Sequence, residues 1–166
     1  ARNGVRTTLT GSNPERPQIH LFINLIFNIM HNWFECKVKY LKIDDDGRER
    51  KVTEAMLFDA VSYTDAEAHV TEQLREIIRG EFVIDKISKS NIIEIFPHET
   101  GAFLYKGKIS IVTIDEKGGK EKKVNNYFLV AADDIKQALQ RLEEGLSYIL
   151  VPYSITSLQV SSIVDV

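Results

Sequence analysis

The chain has 166 residues, 43% of them hydrophobic and 27% charged, with 24 acidic and 21 basic residues for a formal net charge of −3. That length supports one domain, or two small modules packed as one, with a core large enough to need no disulfide or metal staple. The near-balanced charge excludes a global pull toward nucleic acid or anionic membrane but leaves room for a local basic face. The single cysteine, Cys36, excludes an intramolecular disulfide and fits a reducing cytoplasm.

Residues 1–29 read as a non-native leader or disordered extension, with Met30 as the true start. The run from Arg2 to Pro17 is polar and has no period. The apolar run that follows, Ile19 to Met30, is only 12 residues long and is interrupted by Asn24 and Asn28. A membrane-spanning helix needs about 20 residues, and a signal peptide needs a small-x-small cleavage site that is missing before Trp33. No membrane association is expected.

From Trp33 to Ile43 apolar and polar residues alternate, which predicts a half-buried strand. Phe34, Cys36, Val38, Tyr40 and Leu41 fall on or near its inward face, while Glu35, Lys37 and Lys39 point out. Asp44-Asp-Asp-Gly47 is a turn, and Val52 to Val61 completes a hairpin. Thr64-Asp-Ala-Glu67 has capping-box spacing. The helix after it sets Ala66, Val70, Leu74, Ile77 and Ile78 along one stripe. Gly80 ends that helix, and Phe82 to Phe96 is one long strand, bent near Ser88-Lys-Ser90.

Beyond the joint Pro97-His-Glu-Thr-Gly101 the same order returns. Leu104 to Ile114 is a strand, Asp115-Glu-Lys-Gly-Gly119 a turn and Val124 to Ala132 the partner strand. Asp134 and Gln137 cap a helix whose stripe is Ile135, Ala138, Leu139, Leu142, Leu146 and Ile149. Pro152 breaks it before a final strand from Tyr153 to Val166. Phe82 and Tyr153 stand 71 positions apart, and at the same offset Ile84 meets Ile155, Ile87 meets Leu158, Ser90 meets Ser161, Ile92 meets Ile163 and Glu94 meets Asp165. The offset predicts a tandem duplication of a strand–strand–helix–strand unit, residues 30–100 and 101–166, packed as one domain. The fold class is therefore α+β: a mainly antiparallel sheet of about six strands with two helices and a pseudo-two-fold axis. The register sets Phe96 against the position after Val166, so the chain is expected to stop slightly short of its natural end.

From Trp33 onward the text resembles an uncharacterised bacterial and phage family, a domain of unknown function of about 150 residues. The resemblance rests on Trp33-Phe-Glu-Cys-Lys-Val38, Thr53-Glu-Ala-Met-Leu-Phe-Asp-Ala60 with Thr64-Asp-Ala-Glu-Ala68, Phe128-Leu-Val-Ala-Ala132 and Ile163-Val-Asp-Val166. It covers residues 30–166 and implies no activity and no site residues.

Motifs that carry chemistry fail on spacing. Gly101 lies six residues before Gly107-Lys108 where a phosphate-binding loop needs five, and Ile109 replaces the magnesium-binding hydroxyl. A calcium loop starting at Asp44 would place Arg48 among the ligands. His20, His31, His69 and His98 show no ligand spacing with each other or with Cys36, and Cys36 alternates into a strand as a core residue. No cofactor, metal or small-molecule ligand is expected, and no catalytic set appears. The leading expectation is a cytoplasmic, non-enzymatic binding or assembly module that meets a protein partner or itself. The alternative is a nucleic-acid-binding accessory protein using Lys37, Lys39, Arg48, Arg50, Lys106, Lys108, Lys120 and Lys122, with Tyr40 or Tyr105 (or Tyr127) for base stacking. Interleaved acids and the anti-aggregation use of edge lysines weigh against it. An enzyme of unknown type is the third reading.

Overall fold

The computed structural model describes residues 32–114 and 117–166. The leader expected over residues 1–29 lies outside the described residues, as do Asp115 and Glu116 of the second turn.

The first hairpin joins β1 (Asn32–Ile43) to β2 (Glu49–Ala60) in one uninterrupted register, from Asn32 opposite Ala60 to Ile43 opposite Glu49. The aspartate run makes the turn itself. One Asp44 carboxylate oxygen accepts from the backbone N–H of Asp46 (3.1 Å) and Arg48 (2.8 Å), and Gly47 takes the positive φ of 76° that the tight turn requires. Alternation along β1 buries Phe34, Cys36 and Val38 as expected.

Helix α1 (Tyr63–Ile77) is capped two residues earlier than predicted. Ser62, not Thr64, is the N-cap: its hydroxyl accepts from Asp65 N at 3.2 Å, while the Asp65 carboxylate accepts from Val61 N at 3.1 Å. Both serine and threonine have an acid three residues on. Ser62 sits where β2 has just ended, so capping there lengthens the helix by two residues. Ala66, Val70, Leu74 and Ile78 are buried, but Ile77 is 52% exposed, because the i, i+4 row through Ala66 passes beside it.

The predicted 82–96 strand is two strands. β3 (Phe82–Lys89) pairs antiparallel with β1, and β4 (Ile92–Phe96) leaves that sheet for the second hairpin. The switch is held by Ser90, whose N–H donates to Trp33 O (2.7 Å) and whose hydroxyl accepts from Ile92 N (3.2 Å).

The second hairpin joins β5 (Phe103–Ile114) to β6 (Glu121–Ala132). Helix α2 (Ile135–Gly145) begins at the predicted cap, with Asp134 accepting from Gln137 N and Gln137 returning a bond from Asp133 N, both 2.8 Å. Ala138, Leu142 and Leu146 are buried, whereas Ile135 and Leu139 are exposed and lie off the packed row. A 3-10 turn at Leu146–Tyr148 precedes β7 (Tyr153–Val160), which pairs with β5, and β8 (Ile163–Asp165), which crosses to β2. Ser161 repeats the role of Ser90, donating to Leu104 O at 2.7 Å.

The single six-stranded, mainly antiparallel sheet is thereby corrected. The fold is α+β with two helices, and its strands form two mixed four-stranded sheets, ordered β3-β1-β2-β8 and β4-β6-β5-β7. Three strands of each sheet are antiparallel; the fourth, β8 or β4, runs parallel to its neighbour. The reason lies in the outer edges of β2 and β6. An apolar hairpin edge left open exposes unpaired N–H and C=O groups, and the closing strand of the other segment covers part of it.

Each sheet buries one face under its own helix. Met56, Phe58, Cys36 and Val38 pack against Val70 and Leu74 of α1, while Phe128, Val130, Tyr105 and Ile109 pack against Ala138 and Leu142 of α2. A third cluster, Ala55, Leu57, Ile92, Leu129 and Ile163, draws on strands of both sheets through the faces that point away from the helices.

Candidate binding surface at the hairpin arms

Both hairpins outrun the strands beside them. β3 pairs with β1 only between Phe34 and Tyr40, so residues 41–43 and 49–51 continue as a two-stranded arm. β7 pairs with β5 only between Tyr105 and Ile111, so residues 112–114 and 121–123 do the same. The arms expose apolar side chains near their turns: Leu41 is 47% accessible, Ile43 67% and Ile114 71%. Apolar groups held out from a sheet, rimmed by charge, are a common mark of an interaction site.

The first arm carries a polar network on its helix-side face. The Tyr40 hydroxyl donates to Glu54 at 2.5 Å, Lys42 Nζ donates to the other Glu54 oxygen at 2.9 Å, and Arg50 Nε meets Asp44 at 3.2 Å. Partial burial, then the hydrogen bond and charge of Glu54, push the Tyr40 phenol up to about 12. For Glu54, burial acts to raise the carboxyl, but the hydrogen bonds from Tyr40 and Lys42 and the charge of Lys42 outweigh it and lower the value. The positions 71 residues later hold Ile111, Thr113 and Asn125, which cannot form this network. Two shallow cavities flank the arm. One of about 340 Å³ lies between residues 40–43 and 77–79, the other of about 350 Å³ against Asp44, Arg50, Val52 and Glu54.

The residues named for nucleic-acid binding fall into separate neighbourhoods. Tyr105 is a correction: only 6% exposed, its ring belongs to the core under α2, because it alternates with Gly107 and Ile109 onto the helix-facing side. Tyr40 packs its ring against the core under α1 and commits its hydroxyl to Glu54. Lys39 is ion-paired with Asp85 at 2.6 Å and Arg50 with Asp44, while Lys37 is exposed on the other face of β1 from Cys36. Arg48 lies beside the first turn; Lys120 and Lys122 flank the second. Lys106 and Lys108 are half-buried on β5; Lys106 donates to Asn91 at 3.0 Å and lies 4.8 Å over the Tyr127 ring. The apolar arm residues were missed as a site. The sequence hid them, because residues 82–96 and 153–166 each read as one strand long enough to flank a whole hairpin, whereas β3 and β7 stop at eight residues.

Burial pushes the Cys36 thiol up to about 11, which keeps it protonated and unreactive at neutral pH. Among the described residues no group of three or more His, Cys, Asp or Glu side chains gathers as a metal site, and no helix is long and apolar enough to cross a membrane. His69 reaches Asp65 at 3.6 Å, one turn away on α1.

No curated protein and no solved structure matches the chain. The model of the family described as Domain of unknown function (DUF4494) matches residues 32–166, and the chain belongs to that family.

Proposed function

We propose that the protein is a non-enzymatic binding or assembly module that engages a protein partner, or a second copy of itself, through the apolar ends of its hairpin arms. The observation that carries this reading is the exposure of Leu41, Ile43 and Ile114 on strands that extend past their sheets. Burying side chains of this size on association contributes roughly 1.5–3 kcal/mol each. The same reading takes the two hairpin–helix–strand segments as copies of one unit about a pseudo-two-fold axis, supported by the matching ladders and the paired roles of Ser90 and Ser161. The buried, reduced Cys36 supports a cytoplasmic setting, and the resemblance a bacterial or phage source.

Ile43→Asp combined with Ile114→Asp tests the reading, because both side chains face solvent and their replacement leaves the core intact. Light scattering across a concentration series, with pull-down of partners, should show association in the wild type and its loss in the double variant. Association that survives both substitutions, or a monomer that captures nothing, overturns it. Fluorescence anisotropy with labelled oligonucleotides at two salt concentrations separates the nucleic-acid reading. That reading requires binding at low salt that weakens as salt rises.

A further inference from the structure

Strand β7 forms one edge of the second sheet, and its ladder shows which backbone groups that edge offers. Ser161 N donates to Leu104 O at 2.7 Å, just past the Val160–Tyr105 pair, so the amides of Gln159 and Ser157 also face β5. At the other end Val112 N donates to Pro152 O at 3.3 Å, which turns the Ser154 amide toward β5 as well. Between them the register shifts at Thr156, an extra residue without a partner of its own, whose hydroxyl donates to Lys108 O at 3.0 Å. Tyr153, Ile155, Leu158 and Val160 therefore direct their N–H and C=O groups away from β5. Among the described residues no backbone group bonds to these four amides.

β7 has no charged residue. Strand β3, the corresponding edge of the first sheet, carries Asp85, Lys86 and Lys89 where β7, 71 positions later, has Thr156, Ser157 and Val160. Charge along an edge strand is a common guard against pairing with another chain, and β7 lacks it. Apolar groups stand exposed beside the same edge. Val160 is 54% exposed and points to the helix side of the sheet, as its ladder partner Tyr105 does. Leu139 of α2 is 40% exposed. Residues two apart lie nearly opposite on a helix, and Arg141 donates to Ala131 O of β6 at 2.6 Å, so Leu139 overhangs the β7 side.

The spacing along the edge selects what can pair there. Outward groups recur at every second residue of a regular strand, but here three positions separate Ile155 from Leu158. A regular extended peptide cannot match that step, whereas a second β7 has it at the same place. Run antiparallel about a two-fold axis between Thr156 and Ser157, the second strand sets Ile155 opposite Leu158 and Tyr153 opposite Val160, apolar against apolar.

We propose that two copies of the chain pair through β7 in this register, joining their four-stranded second sheets across a two-fold axis. The pairing goes beyond the arm contact, because it gives self-association a strand, a register and a symmetry. The test is a charge swap at Thr156 and Ser157, both exposed and facing each other across the axis. Thr156→Lys with Ser157→Lys, and Thr156→Asp with Ser157→Asp, each set like charges opposite. Each should dimerise at least about tenfold more weakly than wild type in light scattering. An equimolar mixture of the two should recover the dimer, because lysine then meets aspartate. In the wild type, amide exchange at Tyr153, Ile155, Leu158 and Val160 should slow by about tenfold or more as concentration rises from well below to well above the dimer Kd; this measurement decides if a variant fails to fold. A wild-type monomer, a mixture of folded variants that stays monomeric, or unchanged exchange at those four amides overturns the proposal. Association lost in Ile43→Asp with Ile114→Asp but kept in both charged variants also overturns it and leaves the arm contact standing. The reverse pattern supports the pairing and overturns the arms as the site of self-association.

Discussion

The Tyr40 hydroxyl and the Lys42 ammonium converge on Glu54, and folding therefore biases both Tyr40 and Glu54. Tyr40 has its value raised from 10.0 to about 12, so its contribution to stability is complete below pH 10 and is lost as pH rises toward 12. Glu54 has its value lowered, so its contribution is present above the ordinary carboxylate range and is lost as pH falls through the folded value. Tyr148, which donates to Glu94 at 2.8 Å, is raised as well, first by burial and then by that bond, so it adds to the alkaline loss. Replacing Tyr40 with Phe should cost roughly 1.5 kcal/mol at pH 7, the low end for a hydrogen bond to a charged acceptor, since solvent reaches the network. The variant should also lose less stability than wild type between pH 9 and 11. Urea midpoints at those pH values check both, and an unchanged alkaline slope would show that Tyr40 does not set it. Nothing in a single sequence points to this triad. Its members are 2 and 14 residues from Tyr40, and the hairpin register alone brings them together.

Two glycines order the elements around the second sheet, and they should respond differently to a side chain. Gly101, at φ 149°, leads into β5 so closely that a Cβ would stand 2.6 Å from Ala132 N. Gly107 lies under α2, where a Cβ would stand 2.7 Å from the movable end of Leu142. Gly101→Ala should therefore destabilise more than Gly107→Ala, whose cost should stay within the roughly 1–3 kcal/mol of an overpacked core. Thermal unfolding of the two variants checks the order, and equal melting temperatures would contradict it. At this scale the sequence was informative about element type. The caps, turns and strands follow from hydroxyl, aspartate and alternation patterns that act over a few residues. Periodicity alone overstated the helix faces, because Ile77, Ile135 and Leu139 fit the stripe yet lie beside the packed row. The change of sheet inside residues 82–96 was not legible either. Both parts keep the same alternation, and only the Ser88-Lys-Ser90 interruption hinted at it.

Across the whole described unit, the exchanged strands make each sheet depend on the other segment of the chain. Ile163 packs with Ala55, Leu57 and Leu129, and β8 pairs with β2. Ile163→Asp should therefore speed amide exchange in β2 near Ala55 and Met56, residues more than a hundred positions away in sequence. It should also lower global stability by several kcal/mol, as expected for a charge buried without a partner. A variant that loosens only β5 to β7 would contradict the exchange. The arms stand apart from this interlocked core, which leaves their apolar ends free to act as a contact surface. The most direct measurement is photo-cross-linking in the native host, from a benzoylphenylalanine placed at residue 43 or 114, with residues 72 and 136 on the outer faces of α1 and α2 as controls. The binding-module account predicts protein adducts from 43 and 114 that exceed both controls and persist after nuclease treatment. Adducts no stronger than the controls, or adducts that nuclease removes, would contradict it.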